Sequence, residues 1–268
     1  MALLATCFAA WPTGAFSKQA PVPQTPEDIE IMETINRHRP SALPELPVDF
    51  NERHGATHSD GKYHFTDKPF LVEGAEKILG LGAKLGKFWF AIDAAKKFYS
   101  FNSDWPASKN LLDLANTPHF QQVWDMPFKT ILLTTTAPSE EGWRKPGQPP
   151  EFWEKISQDY YDIAAFFYEK FRDRPVTVIL QNWEGDWMLR GIGKSWEPPP
   201  DDWQQRCGRM QQWIAAKQEG VNRARRDFAG KSKCTVAHAV EVNRVADAWK
   251  GIPPVPRDVL PGVEVDLV

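Results

Sequence analysis

Short apolar runs alternate with longer amphipathic stretches along this chain from about residue 60 onwards. The runs KFWFAI (87–92), KTILLTTT (129–136) and VTVIL (176–180) are continuous and rich in β-branched or aromatic residues, which is typical of strands covered on both faces. Residues 151–173 and 202–228 repeat apolar side chains at steps of three and four, which predicts two long amphipathic helices. Strands that alternate with helices in this way indicate βαβ units and a parallel sheet.

Three further runs extend the predicted series to six strands. KPFLVEG (68–74) is predicted as the first strand, KCTVAHAVEVN (233–243) as the fifth and GVEVDLV (262–268) as the sixth. A helix is predicted directly after the first strand, and another at about 108–125. Polar and aromatic residues follow several of these strands, and (β/α)8 enzymes build their sites from such strand ends. We therefore predict an α/β fold of the (β/α)8 TIM-barrel type, incomplete because only about six strands are present.

The alternative architecture is an open doubly wound sheet, for which a glycine-rich dinucleotide-binding turn would be the expected signature. The stretch GLGAKLG (80–86) has the wrong glycine spacing, and it lies in a helix that leads into a strand instead of following one. The barrel is therefore favoured. Its missing strands leave two explanations open: either the chain is a fragment of a longer gene product, or the strand count is wrong.

Three segments are predicted along the chain. Residues 1–20 contain the apolar stretch Ala2–Trp11, which has the length of a signal-peptide core but has no Lys or Arg in or before it. This segment is interpreted either as a signal peptide, which would make the protein extracellular, or as an apolar N-terminal arm of a cytoplasmic protein. Residues 21–59 are a Pro-rich lead-in with a short helix at about Asp28–Arg37, and residues 60–268 are the truncated barrel domain.

The charge and the cysteines exclude several classes of partner. The 32 basic and 35 acidic residues are interspersed and give a formal net charge of −3, so a nucleic-acid partner is not expected. No run of 18 apolar residues occurs, so no membrane-spanning helix is expected. Without a CxxC, a zinc-like Cys/His spacing, a P-loop or a GxSxG elbow, neither a metal nor a cofactor is predicted. Cys207 and Cys234 could pair or stay free, and the oligomeric state is not indicated.

The most distinctive motif is QNWEGDW (181–187), at the end of the fourth predicted strand. If the strand continued that far, Asn182 and Glu184 would share one face, because alternate residues of a strand point the same way. In a functional interpretation Glu184 is a general acid/base, and Asn182 orients it or a substrate hydroxyl. The indole of Trp183 or Trp187 would then be a platform for a sugar ring.

A second polar cluster follows the fifth predicted strand and consists of His238, Glu241 and Asn243. Glu241 is the candidate second carboxylate, because neighbouring parallel strands would bring it to the same cleft as Glu184. His238 would tune one of the two carboxylates, and His238 and Asn243 are candidate substrate-binding residues. Lys87 and Trp89 of the second strand could also line this mouth, although their FWF run is first of all a core sequence.

A purely structural interpretation accounts for the same residues. Glu184 would form an ion pair with Arg190, and both indoles would pack under the loop. His238 would be a core histidine, and Glu241 would pair with Arg244 or another arginine of the loop. Spacing alone leaves both interpretations open.

An Asn and a Glu that end the fourth strand of a (β/α)8 series resemble the retaining glycoside hydrolases of clan A. In that clan the acid/base Glu directly follows an Asn at the end of strand four, and the nucleophile Glu ends strand seven. Here Trp183 stands between Asn182 and Glu184, and the predicted strands stop at the sixth. The resemblance implies a carbohydrate ligand and hydrolysis of O-glycosyl bonds with Glu184 as acid/base. The alternative is a non-catalytic carbohydrate-binding or inactive barrel fragment, in which the indoles bind and the carboxylates only solvate the rim.

Overall fold

The computed structural model describes Pro26, Glu33 and residues 48–61, 63–190 and 200–268. From Val48 onwards these residues belong to one compact unit. The predicted signal peptide or arm and most of the Pro-rich lead-in lie outside the described residues, as does the helix predicted at Asp28–Arg37 apart from the helical residue Glu33.

The unit is built on one sheet of five parallel strands that pair in the order in which they occur in the chain. They are β1 (Gly55–His58), β2 (Leu85–Phe90), β3 (Thr130–Thr135), β4 (Thr177–Gln181) and β5 (Thr235–Ala239). A doubly wound sheet would instead reverse its strand order at a switch point. The α/β class with a parallel sheet is thus confirmed, and the sequential order is compatible with part of a barrel. The strands of the described residues do not close into one.

Helices connect the strands and cover one face of the sheet. They are α1 (Phe50–Arg53), α2 (Phe70–Gly80), α3 (Ile92–Phe98), α4 (Leu111–Ala115), α5 (Pro118–Asp125), α6 (Pro150–Lys170), α7 (Gly185–Arg190), α8 (Trp203–Asp227) and α9 (Val255–Asp258). Short 3-10 turns occur at Pro138–Glu140, Val245–Lys250 and Leu260–Gly262. No helix of the described ranges is both long and apolar enough to cross a membrane.

The two long helices α6 and α8 form where the sequence predicts them, and they pack closely against each other. Pro150 begins α6, a position that proline tolerates because the first N–H groups of a helix have no partner within it. A β-carbon on Gly220 of α8 would lie 2.2 Å from the Ser157 carbonyl oxygen of α6, so the close approach requires glycine. The helix predicted at about 108–125 is two helices, because Asn110 and Thr117 each cap a new start.

The predicted first strand is wrong. KPFLVEG (68–74) leads into α2, in which Phe70, Leu71, Val72, Glu73, Ala75 and Ile78 are buried. A short apolar run does not by itself distinguish a strand from a buried helix turn. The true first strand is GATH (55–58), where a β-carbon on Gly55 would lie 2.3 Å from the Leu85 carbonyl oxygen of β2.

The predicted sixth strand is reduced to one bridge, in which Leu267 pairs in parallel with Ala239. Side chains anchor the rest of this segment. The Asp266 carboxylate accepts the His238 N–H at 2.9 Å, and the Asp266 N–H donates to Gln218 Oε1 at 3.3 Å. A carboxylate therefore takes the position of a ladder carbonyl, which interrupts regular pairing.

The two faces of the sheet are not covered equally, contrary to the sequence prediction. Side chains under the helices are fully buried, as in Phe88, Leu133 and Leu180. Along β2 buried residues alternate with half-buried ones, and Lys87 and Trp89 point to the other face. An open cleft of about 510 Å³ lies on that face, and its lining includes Lys87, Ile179, Ala239, Glu241 and Leu267.

Candidate functional site

Glu184 and Glu241 lie at the carboxyl ends of β4 and β5, and the Lys87 side chain reaches Glu241 from the middle of β2. Glu241 follows β5 by two residues and Glu184 follows β4 by three. Lys87 Nζ lies 3.2 Å from Glu241 Oε1, and the Glu184 N–H donates to Glu241 Oε2 at 3.3 Å. Each oxygen of the Glu241 carboxylate thus has its own donor. Parallel strands place their carboxyl ends at one edge of a sheet, which is why residues so distant in sequence converge here.

Asn182 fixes the backbone of Glu241. The Glu241 N–H donates to Asn182 Oδ1 at 3.2 Å, and Asn182 Nδ2 donates to the Glu241 carbonyl oxygen at 3.4 Å. Asn182 is 1 % exposed, so it holds the Glu241 backbone from the interior of the protein. Its predicted role as a substrate-binding residue does not fit this burial. The shared face predicted for Asn182 and Glu184 is also absent, because β4 ends at Gln181.

Gly185 brings the Glu184 turn against the Glu241 backbone. The Gly185 N–H donates to the Glu241 carbonyl oxygen at 2.8 Å. A β-carbon on Gly185 would lie 2.7 Å from that same oxygen, so this approach needs glycine. The Glu184 carbonyl oxygen accepts the Met188 N–H at 3.1 Å, which places Glu184 directly before α7.

Glu184 has an uncommon backbone conformation, with a φ angle of +20°. Non-glycine residues rarely adopt positive φ, and the strain persists only where the surroundings determine it. Here the bonds of Asn182 and Gly185 to Glu241 fix both sides of the turn. The conformation directs the Glu184 N–H at the Glu241 carboxylate.

The two carboxylates have different electrostatic surroundings. Burial raises the pKa of Glu184, the negative charge of Glu241 raises it further, and Lys87 opposes both effects. Glu241 instead forms an ion pair with Lys87, with about a quarter of each side chain exposed (27 % and 23 %). The pKa of Glu184 thus lies above its ordinary value, and the neighbouring Glu241 carboxylate is paired with an ammonium group.

Two indole rings, those of Trp89 and Trp183, contact each other, and Trp183 directly precedes Glu184 in the chain. The ring centroids of Trp89 and Trp183 are 6.5 Å apart with an interplanar angle of 42°, and Trp89 also contacts Phe98 at 4.9 Å. Trp89 and Trp183 are both half-buried and pack against the core. The sequence prediction named Trp183 as a platform and did not commit to Trp89, whose FWF run looks like core sequence.

Trp187 and Asn243 take part in contacts around Asp186, and the Asn243 side-chain amide group also lies 3.5 Å from Glu184 Oε2. The buried Asp186 carboxylate accepts the N–H groups of Asn243, Arg244 and Val255 at 3.0, 3.2 and 2.8 Å. In its satisfied orientation the Asn243 amide donates to Asp186 Oδ2 at 3.2 Å and accepts the Trp187 indole N–H. Trp187 is therefore tied to the loop after β5, whereas Asn243 is exposed beside it.

His238 lies on the opposite, helix-covered face and is fully buried. Its Nδ1 is 3.2 Å from Gln218 Oε1, and its ring centroid is 6.2 Å from that of Tyr160. Burial and the nearby Lys217 lower the pKa of His238 to about 3. The prediction that His238 binds substrate or tunes the cleft carboxylates needs correction, since alternate residues of β5 point to opposite faces.

Other candidate chemistry is sparse in the described part of the chain. No group of three or more His, Cys, Asp or Glu residues within it could hold a metal ion. Cys207 and Cys234, whose pairing the sequence left open, are free and buried. Burial raises the pKa of each thiol to about 12, which keeps both unreactive at neutral pH.

Comparison with known proteins adds no relative to this description. No protein-family model matches the chain, and neither a curated protein nor a solved structure is significantly similar to it.

Proposed function

We propose that this protein is a glycoside hydrolase-like enzyme that acts on carbohydrate at the cleft beside Glu184 and Glu241. The observation that carries the proposal is the pairing of a carboxyl group of raised pKa, Glu184, with a carboxylate held by an ammonium group, Glu241. In this proposal Glu184 is the general acid/base. Glu241 is the second carboxylate, which acts on the sugar carbon or on a water molecule.

The chemistry needs two carboxyl groups in different protonation states. The general acid must hold a proton for the leaving oxygen, while its partner must be ionised to attack or to activate water. Surroundings that move the pKa values of two neighbouring carboxyl groups apart assign these two tasks. The desolvated position of Glu184 and the ion pair of Glu241 with Lys87 support this assignment.

The aromatic residues support a carbohydrate ligand. Trp183 precedes Glu184 in the chain, and the Trp89 ring lies beside the Trp183 ring, with their centroids 6.5 Å apart. Indoles offer a large flat apolar surface together with an N–H donor, which suits the mixed surface of a sugar ring. The open cleft of about 510 Å³ on the same face has room for a ligand.

One observation favours a second candidate function, non-catalytic carbohydrate binding. Both oxygens of Glu241 are engaged by groups of the protein, one by Lys87 and one by the Glu184 N–H. A carboxylate that keeps both of these hydrogen bonds would line the binding site without taking part in a reaction.

Turnover of alkyl glycosides and disaccharides by the wild-type protein and by Glu184→Gln distinguishes the two functions. The matched control is Glu154→Gln, an exposed residue of α6 remote in sequence from the cleft. We expect Glu184→Gln to lose at least about 100-fold in turnover, the usual contribution of a positioned acid, and the control to keep wild-type rates. Equal turnover by wild type and Glu184→Gln would contradict the proposal. Sugar binding by calorimetry without any turnover would favour the second function.

A further inference from the structure

Lys87 is an unusual residue for its position in the sheet. It lies in the middle of β2, on the open face, in register with Leu132 of β3 and Ile179 of β4. A charged side chain on an apolar face is costly unless it is paired. Its partner is Glu241, 154 positions later in the chain, at an Nζ–Oε1 distance of 3.2 Å. The Lys87 side chain thus connects β2 with the end of β5, across the two strands between them.

The contacts of Glu241 divide between two donors with different origins. Lys87 binds Oε1, and the strained turn at Glu184 provides an N–H to Oε2. The Glu241 backbone is already fixed by Asn182 and Gly185. With the Glu241 backbone fixed, only the direction of its carboxylate remains to be determined. Lys87 is the side chain that determines this direction.

We propose that Lys87 is a positioning residue of this site, which fixes the direction of the Glu241 carboxylate and, through it, controls when Glu184 carries its proton. The catalytic consequence rests on the proposed function, whereas the effect on protonation does not. Without the ammonium group two carboxylates would face each other uncompensated. Glu184 would then keep its proton to higher pH, because an adjacent positive charge stabilises the ionised form.

The test is the titration of the Glu184 carboxyl carbon by NMR in the protein without ligand, assigned by loss of its signal in Glu184→Gln. We expect Lys87→Met to raise the Glu184 midpoint by about one pH unit, the lower end of what a neighbouring charge contributes. Lys87→Arg should restore the wild-type midpoint. The control Lys129→Met removes an exposed lysine next to β3 and should leave the midpoint unchanged.

An unchanged midpoint in a folded Lys87→Met protein would overturn the inference, as would failure of Lys87→Arg to restore it. If Lys87→Met does not fold, Lys87→Gln provides the same neutralisation in a polar side chain and should give the same upward shift. A merely structural lysine would lower thermal stability without moving this midpoint. Absence of glycosidase activity together with the shifted midpoint would reject the proposed function and leave the role of Lys87 intact.

Discussion

Asn182 and Glu241 are joined by a reciprocal pair of hydrogen bonds, in which the Glu241 N–H donates to Asn182 Oδ1 at 3.2 Å and Asn182 Nδ2 donates back to the Glu241 carbonyl oxygen at 3.4 Å. The Asn182 amide thus accepts one bond and donates another, and it completes the pairing between two strand ends after the regular ladder has stopped. Asn182 is buried and both bonds are partly buried, so their loss would leave the Glu241 N–H without this partner.

Replacement of Asn182 with Ala tests the contribution of these two hydrogen bonds. We expect the free energy of unfolding to fall by about 1–3 kcal/mol, because the partly buried Glu241 N–H loses its partner and the Glu241 carbonyl oxygen keeps only the Gly185 N–H. Urea denaturation measures the loss. Gln122→Ala, which removes an exposed amide that bonds to Pro118 within α5, is the control and should change stability by less than about 0.5 kcal/mol. A loss of stability no larger than that of the control would show that the Asn182 hydrogen bonds do not stabilise the strand ends.

A methyl group at Gly185 tests the close approach of the two strand ends. The added β-carbon would lie 2.7 Å from the Glu241 carbonyl oxygen, so Gly185→Ala should destabilise the protein by about 1–3 kcal/mol. Gly208, inside α8, has open space where a β-carbon would lie and provides the matched control. Gly208→Ala should stabilise by about 0.5–1 kcal/mol, because alanine is the better helix former. Thermal unfolding measures the stability of both variants. Equal changes in stability would contradict the close approach of Gly185 to the Glu241 carbonyl oxygen.

The raised pKa of Glu184 makes stability depend on pH. A carboxyl group whose pKa is higher in the folded than in the unfolded state favours folding while it is protonated, and this contribution is lost as pH rises through the folded pKa. Glu184→Gln removes the ionisation. The stability of the variant relative to wild type should therefore increase as the pH rises above about 4, the ordinary Glu value, because Glu184 ionises at higher pH than an ordinary Glu. Urea unfolding at several pH values measures this difference, and a decrease over that range would refute the shift.

A buried ion pair away from the cleft offers a separate test of the fold. Glu140 and Lys217 are 3.3 Å apart, each with 1 % of its side chain exposed, and Glu140 also accepts bonds from Tyr160 and Trp213. Glu140→Gln leaves the Lys217 ammonium without its counter-charge, which should cost about 3–5 kcal/mol. The exposed pair of Lys68 with Glu76 is the control, and Glu76→Gln should cost no more than about 1 kcal/mol.

A double variant separates the charge effect from packing at this pair. Glu140→Gln combined with Lys217→Met removes both charges, so its loss of stability should be clearly smaller than the sum of the two single losses. Chemical denaturation of the four proteins gives the coupling. Strict additivity would mean that the two side chains do not interact.

Long periodic segments were predictable from the sequence because their local signal agrees with their packing. In α6, Ile156, Ile163 and Phe167 are buried as the helical period predicts. The first strand was not predictable, since GATH has only four residues and depends on the fit of Gly55 against β2. The sixth predicted strand fails because the Asp266 side chain replaces a ladder bond.

The candidate site was predictable in part. The proximity of Glu184 and Glu241 follows from neighbouring parallel strands, which the sequence indicates. The role of Asn182 could not be predicted, because it depends on where β4 stops, which is at Gln181. The role of His238 could not be predicted either, because it depends on which face of the sheet the residue occupies. Lys87 carried a usable signal in the sequence, because a lone charge inside an apolar strand requires a partner.

If Glu184 donates a proton to the leaving group, the effect of Glu184→Gln depends on how much the leaving group needs that proton. A dinitrophenolate departs without protonation, whereas an alkoxide needs an acid. We predict that Glu184→Gln loses at least about 100-fold in kcat/KM on alkyl or disaccharide substrates and far less on a dinitrophenyl glycoside. An equal loss on both substrates, or no loss on either, would contradict the role of Glu184 as the general acid.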